Sequence, residues 1–451
     1  MYISSSRSTG IPTPGTAPDP GGTPAPGTGP AADTGPAAAP APGARAARAL
    51  AAVSPNVLAL GAVSLVTDIS SEMITAVLPM YLILTLGLSP LQFGALNGMY
   101  FGVTALIRLA GGHLADRRQR LKLVAGAGYA LSAVCKLGLL AAGASVPALG
   151  AVIAADRTGK GLRTAPRDAL ISLSSTPETL GRSFGVHRAL DTTGAFLGPL
   201  VAFALLLAAP GRYDTVFVAA FGIAAFAVLM LALLVRDRHP ARPSPVPPPP
   251  PSSPAPSVRS AWGLLRLPGF RRVCLGAALL GAVTLSDSFV YLLLQQRLAV
   301  APQWFPLLPL GTAGTYLLLA VPLGQLADRL GRLRVFLAGY GALLCAYLLL
   351  FGPLGGPALL VTALLLHGLF YAATDGVLMA AVGPMLPAQL RASGMALIQT
   401  GQAVAALASS VLFGAAWTEW GLHTAVAVAL TALAVTLLVA LRILPLGQEG
   451  T

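Results

Sequence analysis

The sequence predicts an all-α membrane protein of twelve transmembrane helices in two six-helix halves, preceded by a tail with no fold of its own. Three observations carry that prediction. Hydrophobic residues are 55% of the 451 and charged ones only 10%, with a mean hydropathy of +0.74; a water-soluble domain of that composition could not cover its apolar surface. The apolar residues gather into runs of roughly 20, the length a helix needs to cross a hydrocarbon core. The 29 Lys and Arg, against 16 Asp and Glu, fall in short clusters between the runs. That is the pattern of cytoplasmic loops, and without interleaved aromatic residues it speaks against nucleic acid as a partner.

Residues 1–48 are mostly Pro, Ala, Gly, Thr and Ser, too poor in large apolar side chains to repay ordering, so a disordered tail is expected. No short apolar core with a cleavage site precedes the first long run, so no removable signal peptide is expected. Twelve runs follow, near 57–86, 91–113, 122–143, 147–171, 183–208, 213–235, 273–297, 304–326, 333–353, 357–382, 392–416 and 421–443. Between the sixth and seventh stands "RDRHPARPSPVPPPPPSSPAPSVRS", whose prolines cannot continue a helix. The layout is therefore an N-terminal half at 49–238, a linker at 239–260, a C-terminal half at 261–445 and a short tail at 446–451. Cys135, Cys274 and Cys345 all lie in apolar runs, without disulfide or metal spacing, and read as small packing residues; no metal and no cofactor is expected.

Lys and Arg set the orientation. Arg117, Arg118, Arg120 and Lys122 follow the second run, Arg236 to Arg272 the sixth, and Arg329, Arg332 and Arg334 the eighth, whereas the opposite loops offer little beyond Arg212 and Arg297. Both termini and the linker are thus expected on the cytoplasmic side of the cell (inner) membrane.

The halves also echo one another: "GHLADRRQR" at 112–120 after the second run returns as "GQLADRLGR" at 324–332 after the eighth, with Asp116 and Asp328 212 residues apart. Parallel repeats of this kind are a transporter architecture. Twelve helices in two halves, with G-x-x-x-D-R-x-G-R in one loop and its echo in the other, resembles the major facilitator superfamily, and the resemblance covers about 50–445. Two further motifs extend it. Arg157-Thr158-Gly159-Lys160-Gly161-Leu162-Arg163 resembles the family's helix 4 motif R-x-x-Q-G-x-G, with Lys160 for Gln and Arg163 for the last Gly. Gly185, Gly194, Gly198 and Pro199 match the helix 5 antiporter motif G-x8-G-x3-G-P, without its final glycine pair, and imply efflux of the kind run by prokaryotic drug/proton antiporters. The resemblance also implies a monomer and a central cavity bordered by helices 1 and 4.

Each motif has a physical reading. Asp116 and Asp328, among Arg117, Arg120, Arg329 and Arg332, can form charge pairs and cap helix ends, gating the cytoplasmic face. An aspartate there does nothing for topology. The glycines of the fifth run let it approach a neighbour closely, and Pro199 lets it bend.

Polar groups inside the runs are costly and therefore suspect. Asp68 and Glu72 in "LVTDISSEMI" share one face at i and i+4; two carboxylates there repel, and binding a proton relieves the repulsion. Asp287 in the seventh run is the repeat counterpart of Asp68. His367, Tyr371 and Asp375 in the tenth stand four residues apart on one face, and Tyr291 and Gln399, with Asn97 and Tyr100, are further cavity candidates. In the fourth run Asp156, Lys160, Arg163 and Arg167 form one stripe, and Arg157, Gly161, Thr164 and Asp168 the next. A charge at mid-bilayer costs about 2.5–3.5 kcal/mol, so neither stripe faces lipid. Arg157 or Lys160 is expected to reach Asp68 or Glu72, leaving Arg163 and Arg167 near the cytoplasmic mouth.

The reading that follows is a secondary transporter, alternating access between its halves and coupling proton entry to export of a small organic solute, with an anionic or amphipathic one in view. Arg157 with Asp68, Glu72 and Asp287 would relay the charge, and Lys160 and Arg163 would meet the solute. The alternatives are uptake of an anionic metabolite, which the extra positive charge would suit, and a membrane-embedded enzyme, against which stands the absence of H-E-x-x-H, G-x-S-x-G or P-loop patterns.

Overall fold

The computed structural model describes residues 53–115, 120–237, 262–387 and 390–445. The expected tail at 1–48, the Pro-rich linker at 239–260 and Asp116 and Arg117 lie outside these. Each of the twelve predicted runs is helical. Six helices precede the linker: α1 Pro55–Met80, α2 Pro90–Ala115, α3 Leu121–Ala141, α4 Val146–Leu173, α5 Leu180–Ala208 and α6 Tyr213–Leu234. Proline opens α1, α2 and α4, where its missing N–H costs nothing. Pro79 inside α1 removes an i→i−4 bond, and the helix widens into a π turn at Tyr81–Thr85.

The segments after the linker are less regular. The seventh run is broken into α7 Pro268–Ala282 and α8 Asp287–Leu298. A short 3-10 turn at Pro302–Leu307 leads into α9 Leu308–Leu330, followed by α10 Arg332–Phe351. The tenth run is also broken, into α11 Gly356–Thr374 and α12 Val377–Val382, by Asp375 and by Gly376 at φ 77. The last two runs, Arg391–Ile443, labelled together as α13, are two helices that meet at Gly421, whose backbone is not helical (φ 79, ψ 165). In both places only glycine takes the positive φ without strain.

Nine helical stretches among the described residues are long and apolar enough to cross a membrane, α13 counting as one of them. The charged α4 is not among the nine, for the reason its sequence gives. Large apolar side chains turned outward, such as Leu233, Leu318 and Val321, are 72%, 78% and 68% exposed; in lipid that costs nothing, so an outward-facing leucine is here a packing surface for acyl chains.

Helices run alternately toward and away from the end that carries the linker. At the opposite, far end the N-terminal and C-terminal helices close on each other. Gly94 and Gly98 of α2 lie against Ser410 and Leu407 of α13, so close that a Cβ on either would strike a backbone carbonyl. Asn97 between them donates to Ser286 Oγ at 2.7 Å and Ser410 Oγ at 3.0 Å. The 302–307 turn packs on α1 and α5, with Trp304 4.9 Å from Phe203.

Candidate functional site

Among the described residues these helices enclose a central cavity and a second one beside it. The central one, 460 Å³, is walled by both sets: Glu72, Tyr100, Lys136, Asp156 and Arg157 on one side, Asp287, Tyr291, Tyr316, Tyr371 and Asp375 on the other.

On the first wall Asp156 and Arg157 answer each other and Lys136 is hydrogen-bonded. Asp156 is bonded by its neighbour Arg157, whose Nε lies 3.1 Å away, and accepts from Ser132 Oγ at 2.6 Å. Lys136, 3% exposed, donates to the Ser132 carbonyl at 3.1 Å. The Arg157 guanidinium also stacks 4.1 Å over the Tyr100 ring, a cation–π contact of about 1–2 kcal/mol when desolvated. In this setting Arg157 is a compensated charge rather than a free one.

The second wall carries open carboxylates. Asp287 is the first residue of α8, just past the break in the seventh run. Its Oδ1 accepts from Tyr371 Oη at 2.5 Å and lies 3.1 Å from His367 Nε2, yet the side chain stays 44% open. The four-residue step on α11 puts His367 and Tyr371 on one face, and both reach Asp287. Asp375, where α11 ends, accepts from Tyr316 Oη at 3.2 Å and is exposed.

The break itself is held from three helices. The Leu285 N–H donates to Tyr347 Oη at 2.7 Å, Ser409 Oγ to the Thr284 carbonyl at 2.6 Å, and Asn97 to Ser286. Backbone freed from a helix at membrane depth is tolerated where side chains or a cavity satisfy it. Both conditions hold here.

The second cavity, 370 Å³, lies toward the linker end. It shares Phe101, Ser286, Asp287, Tyr371 and Asp375 with the central one and adds Thr284, Gln399 and Gln402. At the same depth the N-terminal helices are filled by charge. Arg163 Nη2 is 3.6 Å from Asp68 Oδ1 and its guanidinium 4.6 Å from the Tyr129 ring; Arg167 bonds Asp168 at 3.0 Å and approaches Asp191 at 3.8 Å, which Arg188 approaches at 3.5 Å.

Against the sequence reading, the partnership between α1 and α4 exists with different members. Arg157 was expected to reach Asp68 or Glu72 and instead bonds Asp156, while Arg163, expected near the mouth, holds Asp68. The two helices are antiparallel, so each turn forward on α1 meets a turn backward on α4, and Asp68 levels with Arg163 while Glu72 levels with Arg157. Asp68 and Glu72 therefore do not act on one space: Glu72 lines the central cavity, and Asp68 lines neither. Lys160 and Arg163 are not among the residues lining either cavity, so their charge does not face a solute there. Gln399 lines only the second.

Of the gating residues described, Asp328 and Arg332 pair at 2.9 Å between α9 and α10, and Arg332 also donates to the Ala380 carbonyl of α12 at 2.7 Å; Arg120 and Arg329 are exposed. In α5, a Cβ at Gly194 would strike the Leu65 carbonyl, and one at Gly198 would meet Glu72 Cβ at 2.7 Å and the Ile69 carbonyl at 2.8 Å, whereas Gly185 faces open space. Pro199 is buried. The sequence reading passed over Lys136, Asp191 and Tyr316. A lysine in mid-run, in "ALSAVCKLGLL", was the signal for the first.

A model of the Major Facilitator Superfamily matches residues 60–314 and 288–450 of the chain. The MFS-type transporter MJ1317 of Methanocaldococcus jannaschii is 30% identical over 373 residues, 81% of this chain and 89% of that one. Among solved structures, a point variant of the nucleoside transporter NupG superposes with a TM-score of 0.73 at 15% identity, covering 86% of this chain and 99% of that one. A bacterial homologue of the lysosomal transporter Spinster, inward-facing and unoccupied, gives 0.66 at 16%, covering 86% and 96%. At such identities these structures show the shared fold alone.

Proposed function

The chain belongs to the major facilitator superfamily and is a multi-pass membrane transporter, not an enzyme, and from that premise we propose that it exports a small organic solute in exchange for protons. The observation that carries the reading is the central cavity between the two sets of helices, closed at the far end by α2 on α13 and by the 302–307 turn. With the positive-inside distribution of Arg and Lys, the linker end and both termini are cytoplasmic and the far end faces outward, so the closed end is the one that opens to release solute.

The roles divide between the walls. Glu72 faces the cavity at the level of Arg157, and taking up a proton there removes one negative charge from the first wall. Asp287, presented by Tyr371 and His367, meets the solute together with Asp375 and Tyr291. Asp68 and Arg163 tie α1 to α4 from behind the cavity, the Asp328–Arg332 pair holds the cytoplasmic ends of α9, α10 and α12, and Asp116 with Arg117 would act in the corresponding loop. Gly194, Gly198 and Pro199 set α5 tightly on α1, the contact that must rock when the far end opens. The chain acts as a monomer.

Because Arg157 is neutralised by Asp156 while Asp287 stands open, a solute carrying a positive or hydrogen-donating group suits this cavity better than the anionic one first expected. In inverted vesicles, adding a transported solute should dissipate a preformed pH gradient, and Glu72→Gln should abolish the effect. If no solute of a broad panel moves protons while deletion of the gene changes which metabolites accumulate, proton exchange is wrong; accumulation of the solute on the cytoplasmic side would mean uptake instead of export.

A further inference from the structure

We propose that the 370 Å³ cavity is a second binding station, through which an organic cation passes between the central cavity and the linker end along the wall of the C-terminal helices. The proposal rests on the transporter reading but not on its direction or coupling ion.

The two cavities meet at Ser286, Asp287, Tyr371 and Asp375, so a solute held by the two carboxylates can change chambers without giving them up. Gln399 and Gln402 of α13 and Thr284 of the broken segment give the second chamber its own donors and acceptors. Among the described residues that line it there is no Lys or Arg.

Both helix breaks open onto this space. The C-terminal ends of α7 and α11, at Ala282 and Thr374, bring the negative ends of two helix dipoles to the same place as the two aspartates. Phe336, Tyr340 and Phe370 add aromatic walls, which receive an ammonium group as a cation–π partner. An anion would face both carboxylates and both helix C-terminal ends.

Among the described residues the N-terminal helices carry charge pairs at the matching place. At the equivalent depth Arg163 is buried against Asp68, and Arg167 and Arg188 crowd Asp191. The route is thus one-sided, along α7, α10, α11 and α13.

The test uses the full chain in detergent with Cys135, Cys274 and Cys345 replaced by alanine. Gln402→Cys reports on the second chamber, and its reaction with a trimethylammonium methanethiosulfonate is compared with that of the matched sulfonate, each normalised to a free thiol. Clefts lined by one charge concentrate the opposite ion about ten-fold or more, so the cationic reagent should be favoured about ten-fold, falling toward parity with Asp375→Asn. Equal rates, faster reaction of the anionic reagent, or a ratio indifferent to Asp375→Asn would overturn the assignment.

For the route, Gln402→Trp should slow the cationic reagent at Ala313→Cys, which lines only the central cavity, about ten-fold, while Leu318→Trp on the outer surface should not; an unchanged rate with Gln402→Trp refutes passage. Gln399→Cys and Gln399→Trp serve if a Gln402 variant fails to elute as a monodisperse peak. These ratios need neither an oriented membrane nor a pH gradient, so their failure is separable from failure of proton-coupled export.

Discussion

Replacing Gly194 by alanine should destabilise the protein, whereas the same change at Gly185, nine residues earlier in the same helix and the same motif, should not. An added Cβ at Gly194 would strike the Leu65 carbonyl oxygen and stand 3.0 Å from both Leu65 C and Cα. These are backbone atoms of α1, which cannot rotate away, so α1 and α5 would have to part by about half an ångström or more, a displacement that forfeits a quarter to a half of each dispersion contact along the seam. Overpacking of that kind costs about 1–3 kcal/mol. At Gly185 nothing lies within 4 Å. Alanine is the better helix former by about 0.8–1.0 kcal/mol at either site, so the difference between the two variants cancels that gain and isolates the packing term, about 1–3 kcal/mol. Unfolding in mixed micelles of rising SDS mole fraction measures it. Equal stability of the two variants would refute the claim that the fifth-segment motif works by close helix contact.

Three further outcomes are expected. Asp68→Asn strands the Arg163 guanidinium, which is 2% exposed, and Arg163→Met should restore part of the loss; a double-mutant cycle by the same unfolding measurement should give about 1–3 kcal/mol of coupling, and zero coupling removes the pair from the account. Tyr371→Phe removes the 2.5 Å bond to Asp287, a bond to a charged acceptor being worth about 1.5–3 kcal/mol; the solute concentration giving half-maximal collapse of the pH gradient should rise about ten-fold, and more with Asp287→Asn, while an unshifted concentration in both would exclude this wall from binding. Asn97→Ala breaks two bonds between the halves, together about 1–3 kcal/mol, so disulfide crosslinking of Leu91→Cys with Thr418→Cys at the far end should fall; undiminished yield means Asn97 does not help hold that end shut.

Much of this protein is written in local composition. Runs of about 20 apolar residues become helices wherever they stand, because lipid leaves backbone N–H and C=O groups no partner but one another. Thus the twelve segments, the family and the suspicion attached to Asp287, His367 and Tyr371 could be read before any coordinates. The spacing of His367 and Tyr371 even indicated a shared face, since one turn of helix is a local fact.

Partnership was decided elsewhere. The sequence placed charges on α4 but could not say that Asp156 answers Arg157, its own neighbour, or that Arg163 answers Asp68, because the partner a buried charge takes depends on the depth at which other helices pack against α4. Nor could it show that the seventh segment breaks where it does. Asp375-Gly376 is a local turn signal inside the tenth run, but the seventh run has no Gly or Pro at its break; Tyr347, Ser409 and Asn97, distant in the chain, supply the hydrogen bonds that make that break tolerable. Hydropathy and helix periodicity are properties of one segment and are legible in it, whereas a cavity's charge depends on which side chains from several helices cancel, and only packing brings those together.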